Sequence, residues 1–314
     1  MKKITIVTPV YNEIESIAEF SRRIEKTMQA WVEKIDWELL FCVDPSSDGT
    51  ESFIESLHSR EPRFKMIRFS RRFGQPIATM AGIELATGDA VVVIDADLQD
   101  PPEVISDLIS QWLSGHKIVL ATRRSRTGEP ALKKLVARVG YGFLNKFAEV
   151  PVPQNTGDFR LIDRQVVNEL LKFRETNSFL RGLVSLVGFQ TKTVEFDRPE
   201  RFAGKTKYNE WFGSLKIGFN GVVGFSTALL SVSTILGLAS SVISMLIGAA
   251  YVLAKVSGVA FPIGNPTIVV SVLFMGGVNL LTMGILGLYV GRIYDEVKQR
   301  PKYVIEKYLG SKNF

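Results

Sequence analysis

Two stretches without a single charged side chain, Ile217 to Ala254 and Val256 to Gly291, constrain this 314-residue chain more than anything else in it. Each exceeds the roughly 20 residues that cross a bilayer core, and buried helices of soluble domains rarely run so far without a charge. Two transmembrane helices are therefore expected, near Ser226–Leu253 and Thr267–Gly291. At about 1.5 Å of rise per residue the first stretch is too long for one span. Its early part, with Gly218, Asn220, Gly221 and Gly224, is expected to lie along the interface. Lys205, Lys207 and Lys216 precede the first span, and Arg292, Lys298, Arg300 and Lys302 follow the second, while the connecting loop from Lys255 to Pro266 carries only Lys255. Cations collect on the cytoplasmic side, so both termini and the large N-terminal part are expected there. The formal net charge of +6 suits an anionic membrane surface or an anionic substrate. Nucleic acid is not expected, because no basic stripe is interleaved with aromatic residues.

The remainder reads as an α/β domain. Strand-like runs at Ile4–Thr8, Glu38–Val43, Lys65–Phe69, Ala90–Ile94 and Ile118–Thr122 alternate with helical periodicity at Ser16–Ala30, Thr50–Leu57, Gln75–Leu85 and Glu103–Leu113. That alternation predicts a mostly parallel sheet covered by helices. The apolar run after Met1-Lys2-Lys3 is short, broken by Pro9 and followed by Glu13, which suits a first strand rather than a secretion signal. A basic amphipathic stretch at 132–147, with Lys133, Lys134, Arg138 and Lys146, fits either a helix lying on the membrane or an ordinary surface helix. The expected organisation is thus a cytoplasmic domain over 1–208, an interfacial helix at 209–225, a two-helix membrane domain at 226–291 and a tail at 292–314. Cys42 stands alone in an apolar run, where a buried inert thiol is expected, and His58 and His116 form no zinc signature.

Chemistry concentrates at Asp95-Ala96-Asp97-Leu98-Gln99-Asp100, directly after the apolar run Ala90–Ile94. A strand so apolar is buried on both faces and delivers these acids together at its carboxyl end, where open α/β sheets bind ligands. Two carboxylates and an amide form a hard oxygen set suited to Mg2+ or Mn2+ holding a diphosphate. The same residues fit a solvated acidic turn opening the helix at Pro101-Pro102-Glu103 equally well. Strand one ends in Thr8-Pro9-Val10-Tyr11-Asn12-Glu13 and strand two in Val43-Asp44 before a turn-rich segment, so acids from three strand tips converge at one sheet edge. Glu13 and Asp44 can accept hydrogen bonds from a base or ribose, although Asp48–Thr50 can equally be an Asx turn capping the next helix.

These residues closely resemble the polyprenyl-phosphate glycosyltransferases of the inverting glycosyltransferase family two, the group of the bactoprenol glucosyltransferases and dolichol-phosphate mannose synthases. The matching stretches are Val7–Glu13, Gly88–Glu103, Asn155-Thr156-Gly157-Asp158-Phe159-Arg160, and Arg198–Tyr208, and the likeness extends through both C-terminal helices. The resemblance implies a GT-A-type nucleotide domain at a bacterial inner membrane. It implies that Pro9, Tyr11, Glu13 and Asp44 hold the nucleoside, that Asp95, Ala96, Asp97 and Gln99 meet the diphosphate, and that Asp95, Asp97 and Gln99 take the metal. Asp97, Asp158 and Arg160 would form the reaction centre, Arg201 and Lys207 would grip donor phosphates, and Arg123 and Arg138 would meet the acceptor phosphate. Three positions depart from the usual pattern: Pro45 where a second acid is common, Arg72 where Asn is common, and Thr206 in place of Ser.

The expected reaction is transfer of a hexose, foremost glucose from UDP-glucose, to undecaprenyl phosphate; GDP-mannose, UDP-GlcNAc or a UDP-modified arabinose are rival donors. An ion pair is the competing account of Asp158 and Arg160. A processive polysaccharide synthase would need more membrane helices and a Gln/Arg-x-x-Arg-Trp segment, which is missing. A non-enzymatic scaffold in glycolipid export explains the helices but not the converging acids. Small residues along the spans, among them Gly237, Ser241, Gly248, Gly276 and Gly284, would permit close packing in a homo-oligomer.

Overall fold

The computed structural model describes residues 1–124, 156–173, 175, 180–199, 228–260 and 266–310. Arg138, Arg201 and Lys207, the amphipathic stretch at 132–147 and the interfacial segment at 209–225 lie outside the described residues. The chain divides into two units: the described residues up to 199 together with 300–310, and the two long helices up to residue 299.

In the first unit the strands are β1 (Lys2–Val10), β2 (Ile35–Val43), β3 (Phe64–Phe69), β4 (Ala90–Val93), β5 (Ile118–Arg123), β6 (Thr156–Asp163), β7 (Thr191–Phe196) and β8 (Ile305–Leu309). The helices are α1 (Ile14–Gln29), α2 (Thr50–Arg60), α3 (Gln75–Leu85), α4 (Val104–Leu113), α5 (Arg164–Leu170) and α6 (Leu180–Leu186). One sheet runs in the order β7-β5-β6-β4-β1-β2-β3-β8. The pairs β1–β2, β1–β4, β2–β3 and β5–β7 are parallel, whereas β6 lies antiparallel between β4 and β5, and β8 lies antiparallel beside β3.

Every residue of β4 is buried and so is most of β1 and β2, which explains why they read as nearly continuous β-branched and aliphatic runs. Ile4, Ile6, Leu39, Phe41 and Val92 share one face with Ile17, Phe20 and Ile24 of α1 and Ile105 and Leu108 of α4. Their i, i+3, i+7 spacing on α1 is the helical stripe that a sheet face requires. On the opposite face α3 lies very close to the sheet: a Cβ at Gly82 would come within 2.2 Å of Val7 Cγ1 and 2.6 Å of Cys42 Sγ. Only glycine permits that approach.

Within β2, Glu38 is buried among polar partners rather than left bare. Lys3 Nζ at 2.6 Å and Lys65 Nζ at 2.8 Å pair with it, and the hydroxyls of Thr5 and Thr87 each donate to it at 2.7 Å. Burial raises its pKa, but the lysines and hydroxyls outweigh that and bring it down to about 2.

The five strands and four helices expected from patterning up to residue 122 are present, with ends that differ by a few residues. β6 has no counterpart in the sequence reading, because Gly157, Asp158 and Arg160 interrupt its apolar alternation. The segment after residue 292 is more than a tail: Ile305–Leu309 extends the sheet as β8. Its alternation is hidden by Glu306 and Lys307, as an edge strand's often is.

The second unit consists of α7 (Ala228–Val256) and α8 (Pro266–Val297). Within them Leu230–Val256 and Val270–Val297 have mean hydropathies of 2.0 and 1.8, with only 6% and 0% of the most apolar windows buried. Side chains such as Met245 and Leu273 stand 78% and 70% exposed, so these are not core helices of a soluble domain. Their length and apolar surface fit two membrane spans. Ser244 Oγ sits 3.7 Å from Met275 Sδ between them. α8 continues past Gly291 through Arg292, Asp295 and Glu296, because helix formation does not stop where lipid does.

Candidate active site

The carboxyl ends of β1, β2 and β4 share one edge of the sheet, and the antiparallel β6 brings its amino end to that same edge. Val93 pairs with Arg160, so Asp158 falls just beyond the end of β4, level with Asp95. Thr122 pairs with Thr156, which places Arg123 there as well. Pro9 is accommodated in β1 because the ladder to β4 has ended at Val7 by that point.

Four carboxylates crowd this edge. Burial pushes the Asp95 carboxyl well above the usual range, and Asp100, Asp97 and Asp158 push it further, against a smaller opposing pull from Arg181. Gln75 Nε2 donates to Asp95 Oδ1 at 2.8 Å. Asp97 Oδ1 accepts from the backbone N–H of Gln99 at 3.1 Å, an Asx turn. Leu98, between them, is almost fully buried at φ 60°, a left-handed conformation costly for a leucine. Strain of this kind is retained where surrounding structure imposes it, and it clusters at functional sites. Ala96 is buried beneath the turn.

Asp100 is 3% exposed, its Oδ1 has no hydrogen-bond partner among the described residues, and Arg123 Nη2 lies 3.9 Å from it. Burial raises its pKa, although Arg123 and Arg198 oppose the rise. Gln99 Oε1, expected as a metal ligand, accepts from Arg198.

Asp158 is clasped by Arg181, whose Nε and Nη2 donate to Oδ1 and Oδ2 at 2.9 and 3.3 Å. Burial raises the Asp158 pKa, but Arg181, then Arg160 and Arg123, overcome it and leave the carboxylate below its ordinary value. Arg160, expected at the reaction centre, is placed against its own strand end and beside Asp158. It is 2% exposed and donates to its own strand's carbonyls, Gly157 O at 2.7 Å and Asp158 O at 3.2 Å, with Nη2 3.7 Å from Asp158 Oδ1. Burial lowers its pKa to about 10. Arg160 therefore braces the strand end, and Arg181 is the cation that grips Asp158.

On the nucleoside side, Asp44 is buried and accepts from the backbone N–H groups of Phe73 and Gly74, both at 2.9 Å, so it shapes the β3–α3 loop. Arg72 stacks its guanidinium 3.9 Å from the Tyr11 ring centroid. Asn12, at φ 52°, ties the two loops together: its N–H donates to Ser46 Oγ at 3.0 Å and its Oδ1 accepts from Ser47 N at 2.8 Å. Glu13 N donates to Thr50 Oγ1 at 3.0 Å, and Ile14 N donates to Asp48 Oδ2 at 3.1 Å. Asp48 thus caps the start of α1 as well as holding Thr50.

Among the described residues no three His, Cys, Asp or Glu side chains form a ready-made metal cage. What they offer is a partial set of hard oxygens at Asp95 and Asp97. Cations that bridge diphosphates take one or two carboxylates and complete their shells with substrate oxygens and water.

The family model described as "Glycosyl transferase family 2" matches residues 5–171. The chain belongs to glycosyl transferase family 2. This family-2 chain is 42% identical over 306 residues to a bactoprenol glucosyl transferase derived from the SfII prophage of Shigella flexneri, covering 97% of this chain and 98% of that protein. It is 39% identical over 309 residues to an uncharacterized glycosyltransferase of Synechocystis, covering 98% and 96%. Among solved structures it is similar to the glucosyl-3-phosphoglycerate synthase of Mycobacterium tuberculosis, at 20% identity and TM-score 0.45, covering 71% of this chain and 78% of that one. The mostly parallel sheet with helices on both faces is the GT-A-type architecture expected of a family-2 glycosyltransferase.

Sequence patterning found the acid junction but missed Gln75, Asp100 and Arg181 as members of the site. Asp100 was within the motif and carried a signal. Gln75 and Arg181 were not recoverable, since only the fold brings them to Asp95 and Asp158.

Proposed function

We propose that this glycosyltransferase moves a hexose, foremost glucose from UDP-glucose, onto undecaprenyl phosphate at the cytoplasmic face of a bacterial inner membrane, with inversion. The observation that carries the reading is the Asp95 carboxyl, which burial and three neighbouring acids drive far above its usual pKa at the end of an apolar strand. Such a cluster is stabilised by a cation, and its all-oxygen character favours Mg2+ or Mn2+. When bound, that ion would offset the charge of the departing nucleotide. Near full-length similarity to bactoprenol glucosyl transferases supports a lipid phosphate as acceptor, and two apolar helices support its delivery from a bilayer.

The chain's own residues have separate tasks. Asp95 and Asp97 would hold the ion, and Gln75 orients Asp95. The acceptor phosphate is already an anion, so it needs alignment by cations such as Arg123 rather than a strong base. Asp158, kept ionised by Arg181, orients the sugar or stabilises the positive carbon that develops in the transition state. Arg138, Arg201 and Lys207 keep the phosphate roles that the resemblance gives them.

The test is to offer the purified protein a panel of nucleotide sugars with undecaprenyl phosphate and either metal, then identify any glycolipid by mass spectrometry. Transfer from UDP-glucose that disappears on chelation and in Asp97→Asn is the expected result. Transfer exclusively from GDP-mannose, UDP-GlcNAc or a UDP-modified arabinose would correct the donor, and no glycolipid with any donor would overturn the reading.

A further inference from the structure

The β3–α3 loop, residues 70–74, connects the two halves of the candidate donor site. Its Phe73 and Gly74 N–H groups bind Asp44, its Arg72 covers Tyr11, and the next residue, Gln75, donates to Asp95. Gly74, at φ 90°, has the positive φ that glycine adopts without strain, and it lets the chain turn into α3. A loop that makes so many polar contacts to the site needs both ends fixed if those contacts are to be preformed.

The loop's first end is fixed from behind by residues beyond the membrane helices, and the helix that follows the loop is tied by the same residues at its last turn. Tyr303 sets its ring edge-on to Phe69, the last residue of β3, at 5.8 Å between centroids, and Phe69 meets Phe73 of the loop in the same way at 5.8 Å. The Tyr303 hydroxyl donates to Glu84 Oε2 of α3 at 2.9 Å. Between these contacts, Ser70 N, at the loop's first residue, donates to Val304 O at 3.0 Å. A second connection leaves β8 itself through Glu306 and Arg68; Arg68 pairs with Glu51 at 2.7 Å, and Glu51 accepts from Ser46 N, beside Asn12.

We infer that Tyr303 is a positioning residue for donor binding: from the segment just before β8 it clamps β3 and α3 together and so holds the 70–74 loop in its donor-binding shape. The inference rests on the proposed donor role of Asp44 and Asp95. Preorganisation of this kind acts on ligand affinity and leaves the chemical step alone. Tyr303 touches no reacting atom, so its loss should show in the donor terms.

The experiment compares the full-length wild type with Tyr303→Ala, Tyr303→Phe and Lys307→Ala. Lys307 lies nearby on β8 but pairs with Glu55 of α2 at 2.7 Å, away from the loop. Steady-state kinetics and UDP titration by calorimetry should show the donor KM and UDP Kd of Tyr303→Ala rising about tenfold, with kcat within about twofold and the acceptor KM unchanged. Tyr303→Phe keeps the ring contact and should recover most of the affinity; Lys307→Ala should behave as wild type. Amide exchange read at Phe73 and Gly74 should accelerate in Tyr303→Ala while β1 stays protected. If Tyr303→Ala does not fold, Tyr303→Leu, which retains apolar volume without the ring or hydroxyl, takes its place. Unchanged donor KM and unchanged loop exchange would overturn the inference. Should wild-type protein bind no UDP, the functional reading falls, and loop exchange alone decides whether Tyr303 clamps the loop.

Discussion

At the scale of single residues, the site is governed by which charge is answered by which partner. Asp158 would be a costly half-buried carboxylate without Arg181, whose guanidinium matches it with two donors. Arg181→Ala should lower kcat by roughly a hundredfold, the size of effect that follows from misplacing a reacting group by about an ångström. Arg181→Lys should recover only part of that, since a point charge cannot reproduce the fork, and single-turnover kinetics on folded variants will separate the two. Glu38 shows the same physics away from the site. Its pKa falls from 4.5 to about 2 on folding, so its contribution is complete above pH 4.5 and is lost as pH drops through about 2. That difference corresponds to roughly 3 kcal/mol. The predicted outcome is that acid unfolding of Glu38→Gln, followed by circular dichroism, has a shallower pH dependence between those values than wild type. Equal slopes would show that Glu38 is not the titrating group.

At the scale of elements, the helices and strands that hold the site depend on close approach as much as on hydrophobic pattern. α3 contributes Gln75 at its start and can do so only because Gly82 lets the helix settle on β1 and β2. In Gly82→Ala the added methyl would meet Val7 and Cys42 well inside contact distance. Overpacking of this kind costs about 1–3 kcal/mol, so the first thermal transition should fall by several degrees. The patterns of β1 to β5 and α1 to α4 were legible because each carried one dominant periodicity. β6 was not, because its buried arginine imitates a polar loop and both strands it pairs with, β4 and β5, lie far back in the chain. Nor was β8, whose only sequence mark is a short alternation beyond a membrane helix.

At the scale of the whole molecule, the arrangement of charges around two apolar helices sets the orientation to be tested. The proposed topology places the loop after α7 on the far side of the membrane from the N-terminal domain. Cys42 is buried and its thiol is pushed far up by burial, with Asp44 adding to the rise, so it is inert to labelling. A Ser257→Cys variant should therefore react with a membrane-impermeant maleimide on intact cells while the wild type does not. Labelling only after the cells are opened would reverse the topology.

The sequence alone determined the two apolar spans, the succession of strands and helices up to residue 122, and the acid junction at Asp95 and Asp97. Each of these is local, written in a periodicity or in a charge-free run. The tertiary structure decided which cation answers which acid. It turned Arg160 inward to brace a strand, brought Arg181 to Asp158 and Gln75 to Asp95, and returned the segment after the second span to the sheet as β8. Those outcomes depend on strand order and on helix-to-sheet distance, quantities that exist only once residues far apart in the chain are packed together.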